Sequence, residues 1–131
     1  SSGILDSEQS ETSCLVSDRR VRMQTGKTHL MIFSVNLRDA SGHDIILHLN
    51  PRLAKRVFVR NSFLSECWGA EELDLEAFPF AAGEYFEMIV RSDARHFRVA
   101  VNGSHQFDYK HRVQDLSAVG QLEFQKLNIY Q

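Results

Sequence analysis

The chain has 131 residues, of which 43% are hydrophobic and 24% charged, with a formal net charge of −2 at pH 7; that suits one domain whose core needs no staples. The balance gives no electrostatic basis for a nucleic-acid partner or for an anionic membrane surface, and no apolar run approaches the ~20 residues of a membrane span. Two cysteines, Cys14 and Cys67, are no disulfide framework, so free thiols and a reducing compartment are expected.

Residues 1–13 are rich in Ser, Glu and Gln and read as a flexible tail, with 1–3 a cloning remnant. No charged segment followed by an apolar run opens the chain, so no signal peptide is expected. Residues 14–131 read as the folded domain. From Leu15 onward, short apolar runs follow the two-residue period of strands. Arg19, Arg20 and Arg22 form a small basic cluster on a strand edge. Phe33, Val35 and Leu37 alternate with Ser34 and Asn36, and Ser41-Gly42 marks a turn. In the run 45–50, Ile45, Leu47 and Leu49 share one face, and Ile46, His48 and Asn50 the other. Ala82-Gly83 precedes the alternation of Phe86, Met88 and Val90, and residues 92–95 link it at hairpin distance to Phe97, Val99 and Val101. Asn102-Gly103 is the strongest short hairpin signal, because both central residues of a type I′ turn need positive φ. At most a short helical turn is expected over 113–119, and 122–130 reads as a final strand. The prolines, Pro51 and Pro79, fall at a strand end and in a loop. Many short strands with turns between them imply an all-β antiparallel sandwich or barrel.

Three polar features stand out. His48, Asn50 and Arg52 are spaced i, i+2, i+4, so a strand running through Pro51 projects all three from the face opposite the core. Such a row is a platform for a ligand rich in hydroxyls, although a solvated sheet face has the same pattern. Trp68, the single tryptophan, lies in Cys67-Trp68-Gly69-Ala70-Glu71-Glu72. A partly exposed indole there suits the C–H face of a pyranose; capping one end of the sandwich is the structural alternative. Asn61 and Glu71 flank the tryptophan, and Glu71 opens an acidic stretch continuing through Glu72, Asp74 and Glu76. Neighbouring carboxylates do not make the separated pair that general acid–base work needs. The other histidines and the cysteines lack metal-ligand spacing. Neither a phosphate loop nor a Ser-His-Asp arrangement is evident. No catalysis, cofactor or metal is expected.

Taken in order, His48-Leu49-Asn50-Pro51-Arg52, Val59-Arg60-Asn61 and Trp68-Gly69-Ala70-Glu71-Glu72 resemble the signature of the galectin family. The run Phe97 to His105, and Phe107 through His111-Arg112, are similar to its later hairpin. The resemblance covers 30–131 well and 15–29 more weakly. It implies a jelly-roll β-sandwich of two antiparallel sheets, galectin- or concanavalin-like, with sugar on the concave sheet. It implies a lectin for β-galactosides in lactose and N-acetyllactosamine-type glycans on glycoproteins or glycolipids, with no nucleic acid and no membrane insertion. His48 and Arg52, assisted by Asn50, would take the axial 4-hydroxyl of galactose. Asn61 and Glu71 would hold the 6-hydroxyl, Arg52 and Glu71 would reach the next sugar, and Trp68 would stack on the ring. The family usually carries arginine where this chain has Leu73, which puts part of the grip on the second sugar in question. A galectin-fold protein-interaction module with weak or altered sugar binding is therefore the second reading; a hydrolase using Glu71 and His48 is a distant third. Multivalency would come from a homodimer or a tandem domain. The resemblance also implies a cytoplasmic location, an extracellular one reached by unconventional secretion, or both.

Overall fold

The computed structural model describes residues 12–17, 20–25, 32–114 and 119–127, and every regular element among them is a β-strand. In chain order these are β1 (Thr12–Ser17), β2 (Arg20–Thr25), β3 (Ile32–Asp39), β4 (Ile45–Arg52), β5 (Val57–Leu64), β6 (Cys67–Trp68), β7 (Phe86–Ser92), β8 (His96–Val101), β9 (Ser104–Lys110) and β10 (Val119–Leu127). They form two five-stranded sheets, β1-β2-β7-β8-β9 and β10-β3-β4-β5-β6. Every pairing is antiparallel, so the class is the one the alternation implied. Residues 1–11 of the expected tail lie outside the described residues, whereas Thr12 and Ser13 begin β1; 115–118 of the segment allowed a helical turn and 128–130 of the expected last strand also lie outside them.

In the first sheet, β7, β8 and the Phe107–Lys110 end of β9 follow the two-residue period, and the register between β8 and β9 shifts at Val99/Ala100. Phe86, Met88 and Val90 of β7, Phe97, Val99 and Val101 of β8, and Phe107 and Tyr109 of β9 are buried. Burying one such side chain stabilises the fold by about 1.5–3 kcal/mol, which is why a slip of one residue is excluded. The turn between β8 and β9 has Asn102 at φ 51° and Gly103 at φ 84°, the pair of positive φ values that a type I′ hairpin requires.

The second sheet carries the polar constellation, and its buried face holds Phe33, Val35, Leu37, Leu47, Leu49 and Phe58. One detail differs from the alternation. Leu47 pairs with Leu37, yet Ile45 pairs with Arg38; likewise His48 pairs with Asn61 and Ile45 with Phe63. Two residues of β4 thus oppose one step of β3, a bulge that shifts side-chain parity. Ile45 therefore belongs to the face of His48, not to that of Leu47 and Leu49. Ile46, the extra residue, is buried, and its carbonyl accepts the Ser62 hydroxyl at 2.7 Å, so the bulge leaves that group satisfied.

Candidate functional site

Directly opposed residues of antiparallel strands project to the same side, so the register lays out the polar face of the second sheet in rows. Arg38, Ile45, Phe63 and Trp68 form one row; Asn36, His48 and Asn61 form the next. Asn50 lies opposite Val59, and Arg52 stands between Ile32 and Val57. The strand β4 does run through Pro51 to Arg52, so His48, Asn50 and Arg52 are presented on one face, as their spacing required. They differ in exposure: His48 and Arg52 are half-buried, while Asn50 is buried.

That difference separates their chemistry. The Asn50 amide nitrogen donates to the Phe33 carbonyl at 2.8 Å, and its oxygen accepts from Arg52 Nε at 3.0 Å. Asn50 is thus a bracket for Arg52 more than a group held out to a ligand. With Nε committed, Arg52 keeps both Nη groups without a protein partner among the described residues, as donors in a fixed fork. Behind the next row, Nδ1 of His48 lies 2.6 Å from Asn36 Oδ1. An amide oxygen can only accept, so Nδ1 carries the hydrogen and neutral His48 has its Nε2 lone pair as an acceptor. Burial first, then the Arg52 and Arg38 cations, push the imidazole down to about 4 from its ordinary 6.5. Both effects disfavour the charged form, so the ring is neutral near pH 7.

Trp68 reaches this face through a two-residue hairpin. Ser65 and Glu66 have φ of 54° and 67°, the type I′ geometry without a glycine, and the Ser65 N–H donates to Asp44 Oδ1 at 3.1 Å. The turn sets Trp68 opposite Phe63. The indole leans on Phe63, with centroids 5.1 Å apart, and on His48 at 4.8 Å, tilted to both by 56–57°. It remains 49% exposed, so a face of the ring is available to an apolar sugar surface.

Beyond Trp68 the ladder stops, apart from one bridge between Arg60 and Glu72. Two guanidiniums hold this stretch. Arg60, 2% exposed, donates to the Phe58 and Asp74 carbonyls at 3.0 and 2.9 Å. Arg112 donates to Asn61 Oδ1 at 2.9 Å and, at 2.8 Å each, to the Ala70 carbonyl and the Glu72 carboxylate. A Cβ on Gly69 would lie 2.6 Å from Arg112 Nη1 and 3.3 Å from Asn61 Oδ1, so any side chain after the tryptophan pushes the guanidinium from its present position. Asn61 completes it, donating from Nδ2 to the Gly69 carbonyl at 2.8 Å. Glu71 is exposed and makes no hydrogen bond or ion pair among the described residues; Leu73 is 45% exposed.

The structure therefore gathers His48, Asn50, Arg52, Asn61 and Trp68 on one sheet face, with Glu71 at its rim. Sequence reasoning missed Asn36, Phe63 and Arg112. Asn36 was legible only as a member of an alternating run, Arg112 only as part of a pair in a later segment, and Phe63 was not singled out at all. The face offers a fork of donors, an imidazole acceptor, an amide N–H and an aromatic plane, a set that can hydrogen-bond a polyhydroxylated ligand while stacking on its apolar side. Of the acids beside it, Glu72 is already paired with Arg112.

The sequence pattern of the family described as galactoside-binding lectin matches residues 11–130. Over 95 residues the chain is 53% identical to galectin-8 of Rattus norvegicus, covering 72% of this chain and 30% of that protein. Over 91 residues it is 43% identical to galectin-4 of Sus scrofa, covering 70% of this chain and 28% of that protein. The chain thus spans under a third of the length of these curated relatives. The crystal structure of galectin LEC-6 from Caenorhabditis elegans matches with a TM-score of 0.71 at 24% identity, covering 92% of this chain and 79% of that one. The likeness is one of fold, and the fold class is the jelly-roll sandwich that the sequence resemblance implied.

Proposed function

The chain belongs to the galactoside-binding lectin family, and from that premise we propose that it recognises galactose in lactose and N-acetyllactosamine-type glycans through His48, Asn50, Arg52, Asn61, Trp68 and Glu71. The observation that carries the reading is the disposition of free valences. Among the described residues the Nη donors of Arg52 have no partner, Arg52 is close enough to act electrostatically on neutral His48, whose Nε2 remains an acceptor, and the half-exposed indole of Trp68 leans on that imidazole. An axial hydroxyl can donate to Nε2 while accepting from Arg52, with the ring's C–H face against the tryptophan. An equatorial hydroxyl would leave those groups unpaired, and a site built to hydrogen-bond one hydroxyl discriminates strongly on that ground.

The test is a calorimetric titration with lactose, N-acetyllactosamine and maltose. Binding of the first two without the third supports the reading; equal binding of maltose, or no binding of either galactoside, removes it. The second reading, a galectin-fold interaction module with weak or altered sugar binding, draws on exposed Leu73 where the family usually has arginine, and failure of both galactosides would favour it. Glycoprotein or glycolipid glycans would be the partners. One open-faced site binds weakly, so avidity would come from a second domain or a second copy. A cytoplasmic location, with or without unconventional export, is part of the same proposal.

A further inference from the structure

Asn61 has a hydrogen-bond inventory that can be completed. Its Oδ1 accepts from Arg112 Nη1 at 2.9 Å and from the Ser62 N–H at 2.7 Å. Its Nδ2 gives one hydrogen to the Gly69 carbonyl at 2.8 Å. A primary amide has two lone pairs and two N–H groups, so one N–H is all that Asn61 can offer a ligand. The backbone after it is held just as specifically. Gly69 N–H donates to Ser62, and Glu72 exchanges both backbone bonds with Arg60. Between these two anchors, Arg112 Nη2 takes the Ala70 carbonyl at 2.8 Å, directly before Glu71. The same nitrogen pairs with Glu72 at 2.8 Å, and the Arg112 side chain is 22% exposed. A guanidinium can make these bonds together because its donors lie in one rigid plane; an ammonium cannot.

We propose that Arg112 is a positioning residue of the galactoside site. It locks the Asn61 amide and the Gly69–Glu72 backbone into one unit, so that Asn61 presents a donor and Trp68 and Glu71 keep their placement around the sugar. The inference rests on the galactoside reading for its ligand, not for its geometry. Gly69 is the complementary half of the device, since any larger residue displaces the guanidinium.

Two perturbations test it from opposite sides. Arg112→Ala removes the clamp, and Gly69→Ala pushes it away while Arg112 is retained. Lactose affinity should fall by roughly ten- to a hundredfold in each, the scale of lost hydrogen bonds to a charged group. The loss should shrink at least about threefold in an Asn61→Ala background, because coupled residues are non-additive. Arg112→Lys should recover thermal stability through Glu72 without recovering affinity. A folded Arg112→Ala protein with unchanged lactose affinity, or losses that simply multiply with Asn61→Ala, would overturn the proposal. If Arg112→Ala does not fold, Gly69→Ala decides by the same criteria. If the unsubstituted chain binds no lactose, the galactoside reading falls, and the Asn61 side-chain amide signals of the ligand-free protein decide the positioning. Hydrogen exchange slowed in the unsubstituted chain and lost in Gly69→Ala supports the clamp; identical signals in both refute it.

Discussion

Lowering the pH should leave galactoside binding almost untouched where an ordinary histidine would already have lost it. The proposed acceptor is Nε2 of His48, which works only in the neutral ring. With the imidazole held near 4 by burial and the Arg52 and Arg38 cations, affinity at about pH 5 should drop by about a tenth. At the unshifted value of 6.5, the ring would be largely protonated there and affinity would fall about thirtyfold. The fold follows the same sign. A histidine pushed down is neutral in the folded chain at a pH where the unfolded chain has begun to take up protons. Its contribution is therefore complete above about 6.5 and is lost as the pH falls toward 4. The full gap corresponds to about 3 kcal/mol, which screening of a half-buried ring reduces to about 1.5 kcal/mol. Calorimetric lactose titrations at about pH 7.5, 6 and 5, paired with the 15N shifts of the His48 ring, measure both the affinity and the protonation state. Affinity halved near 6.5 with His48 titrating in step would refute the argument that its surroundings keep the ring neutral.

Three further outcomes follow from the same face. Arg52→Ala should cost at least about tenfold in lactose affinity, the low end for a hydrogen bond to a charged group, with a small change in thermal midpoint because Arg52 is half-buried; unfolding with normal binding by the residual folded fraction would make it structural. Trp68 fluorescence should respond to lactose and not to maltose, and a folded Trp68→Ala protein should bind lactose at least about tenfold more weakly; unchanged affinity would mark the indole as a support for Phe63 and His48 alone. Leu73→Arg should tighten lactose and N-acetyllactosamine by about two- to fivefold, since the new side chain must be ordered on binding, and change galactose little; no effect on either disaccharide would show that position 73 does not face the ligand.

Much of the fold was legible because side-chain period and burial coincide in β7 and β8, where each alternate residue is apolar and buried. The β4 bulge was not, because an extra residue changes parity without changing composition: Ile45 and Ile46 look alike in sequence and fall on different sides of the register shift. Turns divide in the same way. Asn102-Gly103 advertises positive φ by residue type, whereas Ser65 and Glu66 adopt it with side chains that rarely do. The conformation that delivers Trp68 to the site was therefore silent in the sequence.

Within the site, the division follows where each residue's hydrogen-bonding capacity goes. His48, Arg52 and Trp68 could be singled out because their spacing or isolation suggested a ligand, and each retains a group directed away from the protein. Asn36 and Arg112 direct theirs inward, to Nδ1 of His48 and to Asn61, Ala70 and Glu72. Nothing in their local sequence distinguishes such residues from solvated polar neighbours. Asn50 shows that the two kinds cannot be separated by pattern alone: it shares the alternation of His48 and Arg52, yet it is buried with its amide divided between Phe33 and Arg52. A substitution at Asn50 should therefore act on binding through the aim of Arg52. Asn50→Asp keeps an acceptor for Arg52 Nε but loses the donor to Phe33, whereas Asn50→Leu loses both. If the bracket is what matters, Asn50→Asp should retain more lactose affinity than Asn50→Leu at equal foldedness; equal losses would mean that Asn50 meets the sugar itself.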